Sequence, residues 1–102
     1  MIGWYILKDK IPVPSDLMEA GRWMEDPNNV IIEQTWYGDI CVSTIFLGFD
    51  HTPMFFKSDK PVLFETMIFG GEYDYDRRRY HTWDEAIIGH NEACEMVVAT
   101  QN

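Results

Sequence analysis

Apolar positions recur along this chain with two different periods, and the periods divide it into elements. Leu17, Ala20, Gly21 and Met24 fall at i, i+3, i+4 and i+7, a helical stripe that Trp23 widens. Asp16 stands where an N-cap belongs, and Glu19 three residues on suggests a capping box. The stripe stops near Glu25-Asp26, because Pro27 disfavours helical geometry in the residue before it. A second helical stripe runs through Trp83, Ala86, Ile87, His90, Cys94, Val97 and Val98. It opens on Thr82-Trp83-Asp84-Glu85, a T-x-x-E capping box, and predicts a helix to the end of the chain. Between the helices lie β-prone runs at 30–36, 40–47 and 62–69, with a further run at 3–7 and a short edge strand at 77–81. Lys8-Asp9-Lys10 reads as a turn, Pro12-Val13-Pro14 as an extended arm and Asn28-Asn29 as a loop. Tyr37-Gly38-Asp39 reads as a hairpin connection. Gly48 to Lys60 is a longer loop holding Pro53 and leading through Ser58-Asp59-Lys60-Pro61, and Gly70-Gly71 ends the third core strand.

The order β-α-β-β-β-(β)-α predicts a single α+β domain over residues 1–102: an antiparallel sheet of four to five strands carrying two amphipathic helices. The runs 40–47 and 62–69 are apolar at alternate and intervening positions alike. Such strands are central and are covered on each side, by helices or by the partner in a homodimer.

Composition narrows the class. Hydrophobic residues make up 46% of the chain and aromatic residues 15%, too many for a disordered segment. The longest apolar run falls far short of the ~20 residues of a membrane span. No basic n-region or long apolar h-region opens the chain, so the expected location is the cytoplasm. Cys41 and Cys94 are the only cysteines, in no C-x-x-C pair, and read as small buried hydrophobes. They would pair only if strand and helix face one another there. The formal net charge is −9, which repels nucleic acid and suits a partner with a basic surface, while also keeping an aromatic-rich domain soluble.

Four residues carry candidate chemistry. Asp50-His51 follows a strand and precedes a loop, and reads either as a general base or metal ligand with Asp orienting His, or as a turn in which Asp50 caps backbone amides. Glu65 interrupts an apolar strand. It is either a pKa-shifted acid or base or a structural acceptor paired with Arg78 or Arg79, and symmetric pairing around the 48–61 loop puts it near Thr44. His90 sits on the apolar stripe of the last helix beside Gly89. A glycine there costs helix stability and implies close approach of a strand, so His90 would reach Thr44 or Glu65. The spacing of His51, Glu65 and His90 matches no zinc signature, and no phosphate loop, dinucleotide motif or nucleophile elbow occurs. Neither a metal nor a cofactor is expected. Glu72-Tyr73-Asp74-Tyr75-Asp76 puts Glu72, Asp74 and Asp76 on one side of an extended segment. That segment is either a docking strip for a basic partner or a solvated stretch balanced by Arg77, Arg78 and Arg79.

V-S-T-I-F-L-G-F-D-H, L-F-E-T-M-I-F-G-G and R-Y-H-T-W-D-E-A-I-I-G-H together resemble a family of small proteins encoded by tailed bacteriophages and prophages. Its motifs run V-S-T-V-F-L-G-L-D-H, F-E-T-M-V-F-G-G and R-Y-x-T-W-x-E-A-x-x-G-H. Trp4-Tyr5-Ile6-Leu7, Pro12-Val13-Pro14 and Leu17 through Trp23-Met24-Glu25 are similar to its first third, so the resemblance covers nearly the whole chain. The departures are Ile45, Phe49 and Ile68, with His81 before Thr82. Its motif positions here are Ser43, Thr44, Asp50, His51, Glu65, Thr66, Arg79, Tyr80, Thr82, Trp83, Glu85, Gly89 and His90. The resemblance implies a phage origin and action in the bacterial cytoplasm, and it names no reaction. Two functions follow as expectations. One is an accessory protein that binds a host or phage protein, with inhibition of a host defence or nucleic-acid-handling protein as one form. The other is a small enzyme or ligand-binding protein using Asp50, His51, Glu65 and His90.

Overall fold

A computed structural model describes residues 3–53 and 60–101. The alternating runs become strands β3 (Ile31–Tyr37), β4 (Ile40–Phe46), β5 (Phe64–Phe69) and β6 (Arg77–Tyr80), an antiparallel sheet in that order. Ahead of them, β1 (Trp4–Lys8) and β2 (Ile11–Ser15) pair in a separate two-stranded sheet. The helices are α1 (Leu17–Met24), a single turn α2 (Pro27–Val30) and α3 (Trp83–Ala99). The fold is α+β with antiparallel sheets.

Two details differ from the reading of the sequence. The expected arm at 12–14 is strand β2, paired with β1 from Trp4↔Ser15 to Lys8↔Ile11. Asp9 and Lys10 turn the corner with positive φ of 51° and 70°, the geometry that matches the twist of a two-residue hairpin. Prolines at 12 and 14 disguise the strand, since an edge strand tolerates them where a central one does not. At Asn28-Asn29 the expected loop is α2, with Pro27 at its start and the Asp26 carboxylate accepting from Asn28 N at 2.9 Å. The Ser58-Asp59 part of the long loop lies outside the described residues.

Register fixes the two faces of the large sheet. Trp36, Cys41 and Phe69 lie in one row, Thr35, Val42 and Ile68 in the next, and alternate rows share a face. Val42, Thr44 and Phe46 meet Ile68, Thr66 and Phe64 on the face that α3 covers. Ala86, Gly89, His90, Ala93 and Val97 are the buried residues of α3. Their spacing is one stripe, and the small side chains let the helix lie close to the strands. Val42, Ile68, Ala93 and Val97 form one core cluster, and Phe46, Leu63, Phe64 and Ala86 the other. Trp23 of α1 meets Phe46 edge-on at 5.6 Å between ring centroids, and the β1–β2 corner reaches α3 through Lys10, whose ammonium lies 5.5 Å from the Trp83 ring. The opposite face carries Cys41, Ser43, Ile45, Glu65, Met67 and Phe69, and no described helix packs across it. Among the described residues a helix covers one side only, although Cys41, Ser43 and Glu65 on the other are themselves buried. Among the described residues, no helix is long and apolar enough to cross a membrane.

Candidate functional site

His90 is the centre of the polar structure inside the core. Thr82 starts α3 by accepting from Glu85 N at 3.1 Å, while the Glu85 carboxylate accepts from Thr82 N at 3.1 Å and His81 N at 3.0 Å. From that fixed start, positions 89 and 90 fall over the middle of the sheet. Gly89 lies directly on Tyr80, and a Cβ there would overlap the Tyr80 hydroxyl and ring. This contact brings the fully buried His90 ring down among three threonines. Its Nδ1 lies 2.7 Å from Thr44 Oγ1 and its Nε2 2.9 Å from Thr35 Oγ1; Thr44 Oγ1 is 2.5 Å from Thr66 Oγ1. A neutral imidazole has one donor and one acceptor nitrogen, and hydroxyls can serve either, so both tautomers satisfy the chain. Burial pushes the His90 pKa below the ordinary histidine value, and Glu33 offsets that only in part. The Tyr80 hydroxyl closes the network beside Thr66, enclosed and without a well-directed partner, and burial raises its pKa. The arrangement holds β3, β4, β5 and α3 in one register. Among the described residues it contains no carboxylate and no nucleophile beyond hydroxyls, and the His90 ring is fully buried.

Glu65 is elsewhere. The sequence places it across from Thr44, but Thr66 occupies that position and Glu65 pairs with Ile45. A shift of one residue moves a side chain to the other face, so Glu65 lies on the face away from α3 and from His90. Arg79, its cross-strand neighbour, donates from Nε to Glu65 Oε2 at 2.9 Å, and Arg77 Nε lies 3.9 Å from the same oxygen. Arg78, one of the two expected partners, points to the helix side and bonds Asp76 at 3.2 Å.

Asp50 and His51 sit together at the end of the sheet, and their bonds are local. Asp50 Oδ1 accepts from Thr52 N at 2.9 Å, Thr52 Oγ1 at 2.6 Å and Val62 N at 2.9 Å, joining the two ends of the long loop. Partial burial works to raise the Asp50 pKa, but these bonds and the His51 ring outweigh it and hold the carboxyl below its usual value. His51 Nδ1 lies 2.7 Å from Phe49 O, and its backbone N–H bonds Val62 O at 2.9 Å.

The acidic strip is also different from its reading. Residues 71–75 form a turn rather than an extended segment, with Tyr75 at φ 68°. Asp74 accepts from Gly70 N at 2.7 Å and Asp76 pairs with Arg78, so two of the three acids hold the turn together. Glu72 is exposed there.

The four candidate residues therefore occupy three places: His90 in the core, Glu65 on the opposite face, and Asp50-His51 at the loop. Among the described residues, no three His, Cys, Asp or Glu side chains gather as a metal site. Cys41 and Cys94 are free thiols, Cys41 on the face opposite α3. Sequence reasoning missed Thr35 and the seating of Tyr80 on Gly89; threonine alternating with apolar residues in three strands was the available signal.

The face of the sheet away from α3 is chemically distinct. Trp36 and Phe69 flank Cys41 across β3, β4 and β5 and are 63% and 42% exposed. Ser43, Ile45, Glu65, Met67 and Phe69 line a shallow hollow beside them, and Arg77 and Arg79 border it. Comparison with family models, with curated proteins and with solved structures finds no match to this chain.

Proposed function

We propose that the chain is a small acidic accessory protein of phage origin that acts in the bacterial cytoplasm by binding a host or phage protein. The face of the four-stranded sheet away from α3 is its contact surface. The observation that carries this reading is the Trp36–Cys41–Phe69 row, two large exposed aromatic side chains on a face that no described helix covers. Exposed apolar patches rimmed by polar residues mark interaction sites, and Trp is prominent among the residues that dominate binding energy. The formal charge of −9 favours a partner with a basic surface. Asp39 and Glu72, exposed near the same end of the sheet, supply acid beside the aromatic row. Inhibition of a host defence or nucleic-acid-handling protein is a form such binding takes. The alternative, an enzyme or ligand-binding protein working through Asp50, His51, Glu65 and His90, gains nothing from geometry, because those side chains do not converge.

The test compares the chain with a Met67→Lys/Phe69→Lys variant in capture from the bacterial host, followed by titration against the purified captured protein. The variant should melt like the parent and lose the partner, and binding by the parent should weaken with salt. Undiminished, salt-insensitive binding by the variant would remove this face from the function.

A further inference from the structure

Strand edges invite pairing with another chain, and this fold protects its edges unequally. The outer strand β6 has four residues, three of them arginine, and β2 carries Pro12 and Pro14. Charge, shortness and proline are the usual protections of an edge. The other outer strand of the large sheet, β3, has none of them. It runs seven residues, Ile-Ile-Glu-Gln-Thr-Trp-Tyr, pairs only with β4 among the described residues, and contains a single charge at Glu33.

The hairpin decides which of its backbone groups are free. The two-residue connection Gly38-Asp39 closes on the pair Tyr37↔Ile40, and closing pairs of such hairpins exchange hydrogen bonds. Antiparallel pairs alternate between bonded and non-bonded. Thr35↔Val42 and Glu33↔Thr44 are then bonded, whereas Trp36↔Cys41 and Gln34↔Ser43 are not. The N–H and C=O groups of Gln34 and Trp36 therefore point outward.

We infer that β3 pairs antiparallel with β3 of a second copy about a two-fold axis at Thr35, extending the four-stranded sheet to eight strands. In this register Gln34 stands opposite Trp36 of the second copy, twice, and the outward groups exchange four backbone hydrogen bonds. Glu33 stands opposite Tyr37. An axis at Glu33 would set two carboxylates against one another, which is destabilising. An axis at Gln34 would run into the irregularity between Ile31 and Glu33. The matched outward groups of Gln34 and Trp36, with each Glu33 kept away from the other, thus point to a second copy in this register. Pairing over residues 33–37 spans about 17 Å, and Trp36, 63% exposed, has that fraction of a ring's roughly 150–250 Å² left to bury. So small a contact falls at or below the roughly 1,000–1,200 Å² lower limit of specific interfaces, so the dimer is weak, dissociating at micromolar concentrations or above. The charge of −9 on each copy opposes association, and salt relieves that repulsion. Self-association strengthens with salt, the reverse of capture by a basic partner.

Sedimentation of the full chain from low micromolar to near-millimolar concentration tests this, with amide hydrogen exchange on the same samples. The mass should rise from monomer to dimer, more readily at higher salt, and the Gln34 and Trp36 amides should become protected as it does. Gln34→Pro removes an outward donor at an edge position where proline is tolerated, and should weaken the dimer about tenfold or more. Trp36→Lys provides a second edge variant should the proline disturb folding. Phe69→Lys, on the face, should leave the dimer intact. A monomer at every concentration overturns the inference. So does a dimer lost in Phe69→Lys but kept in both edge variants, which would mean stacked faces. Protection of the two amides only when another protein is added would assign the edge to a foreign strand and equally overturn it.

Discussion

Replacing Gly89 with alanine separates two forces that point in opposite directions. In an exposed helix interior the change would stabilise by about 1 kcal/mol, because glycine is the poorer helix former. Here an added Cβ overlaps the hydroxyl, Cζ and Cε1 of Tyr80. The ring has little freedom to withdraw. Tyr80 pairs with Phe64 in the sheet and packs on the Phe46–Phe64 cluster, and its hydroxyl is enclosed. Either the ring leaves its rotamer or α3 lifts, and lifting pulls His90 away from Thr35 and Thr44. Overpacking of a filled core costs about 1–3 kcal/mol. Loss of a hydrogen bond that leaves a buried group unpaired costs a further ~1–3 kcal/mol. After the propensity gain, the net loss should be about 1–5 kcal/mol, which at ~4–8 °C per kcal/mol lowers Tm by about 4 °C or more. Urea and thermal unfolding followed by circular dichroism measure this directly. The decisive comparison is a double-mutant cycle with Tyr80→Leu, which withdraws the ring tip. In that background Gly89→Ala should be neutral or stabilising, a coupling of at least ~1 kcal/mol. Gly89→Ala that stabilises the parent, or costs the same in both backgrounds, would refute the account of close helix–sheet approach.

The remaining expectations use the same measurements. Because the folded-state pKa of His90 is depressed, its contribution is complete above the ordinary histidine value of about 6.5. It is lost as pH falls from there through the lower folded value. Stability should therefore drop on acidification over that window, and His90→Gln should flatten the drop; an unchanged slope would show that another group carries it. Asp50→Ala removes the acceptor for three hydrogen bonds, and should cost about 2 kcal/mol and speed exchange of the Val62 amide. Its lowered pKa makes that stabilisation present above the ordinary carboxyl value and lost as pH falls through the folded one, and an acid midpoint unchanged in Asp50→Asn would count against it. Thr82→Ala should cost about 1 kcal/mol for the lost cap of α3, read as a shift in urea midpoint. Glu65→Gln, which leaves a partly exposed arginine, should cost less than about 1 kcal/mol and leave the His90 pH dependence intact; a loss as large as that of Gly89→Ala would show the two sides of the sheet to be coupled.

The amino-acid order determined what is local. Thr82 with Glu85, and Asp16 accepting from Glu19 N, start α3 and α1 where capping chemistry puts them. The apolar stripe from Ala86 to Val97 fixes which side of α3 turns inward. Gly89 on that stripe signalled a close approach, and His90 does reach Thr44. Register across the sheet is not local, and only the folded chain decided it. The period of a strand is two, so assigning Glu65 rather than Thr66 to the position opposite Thr44 reversed its face and removed it from the core network. The proline-rich arm became β2 through its hairpin with β1, whereas non-local packing joined Thr35 to His90, fifty-five residues away. That packing also left one face of the apolar strands without a helix among the described residues. A strand apolar on both sides records that both faces avoid water. Whether a helix of the same chain or another molecule covers the second face depends on where α3 and α1 settle, and both settled on the first because Trp23 and Ala86 pack into the same Phe46 cluster.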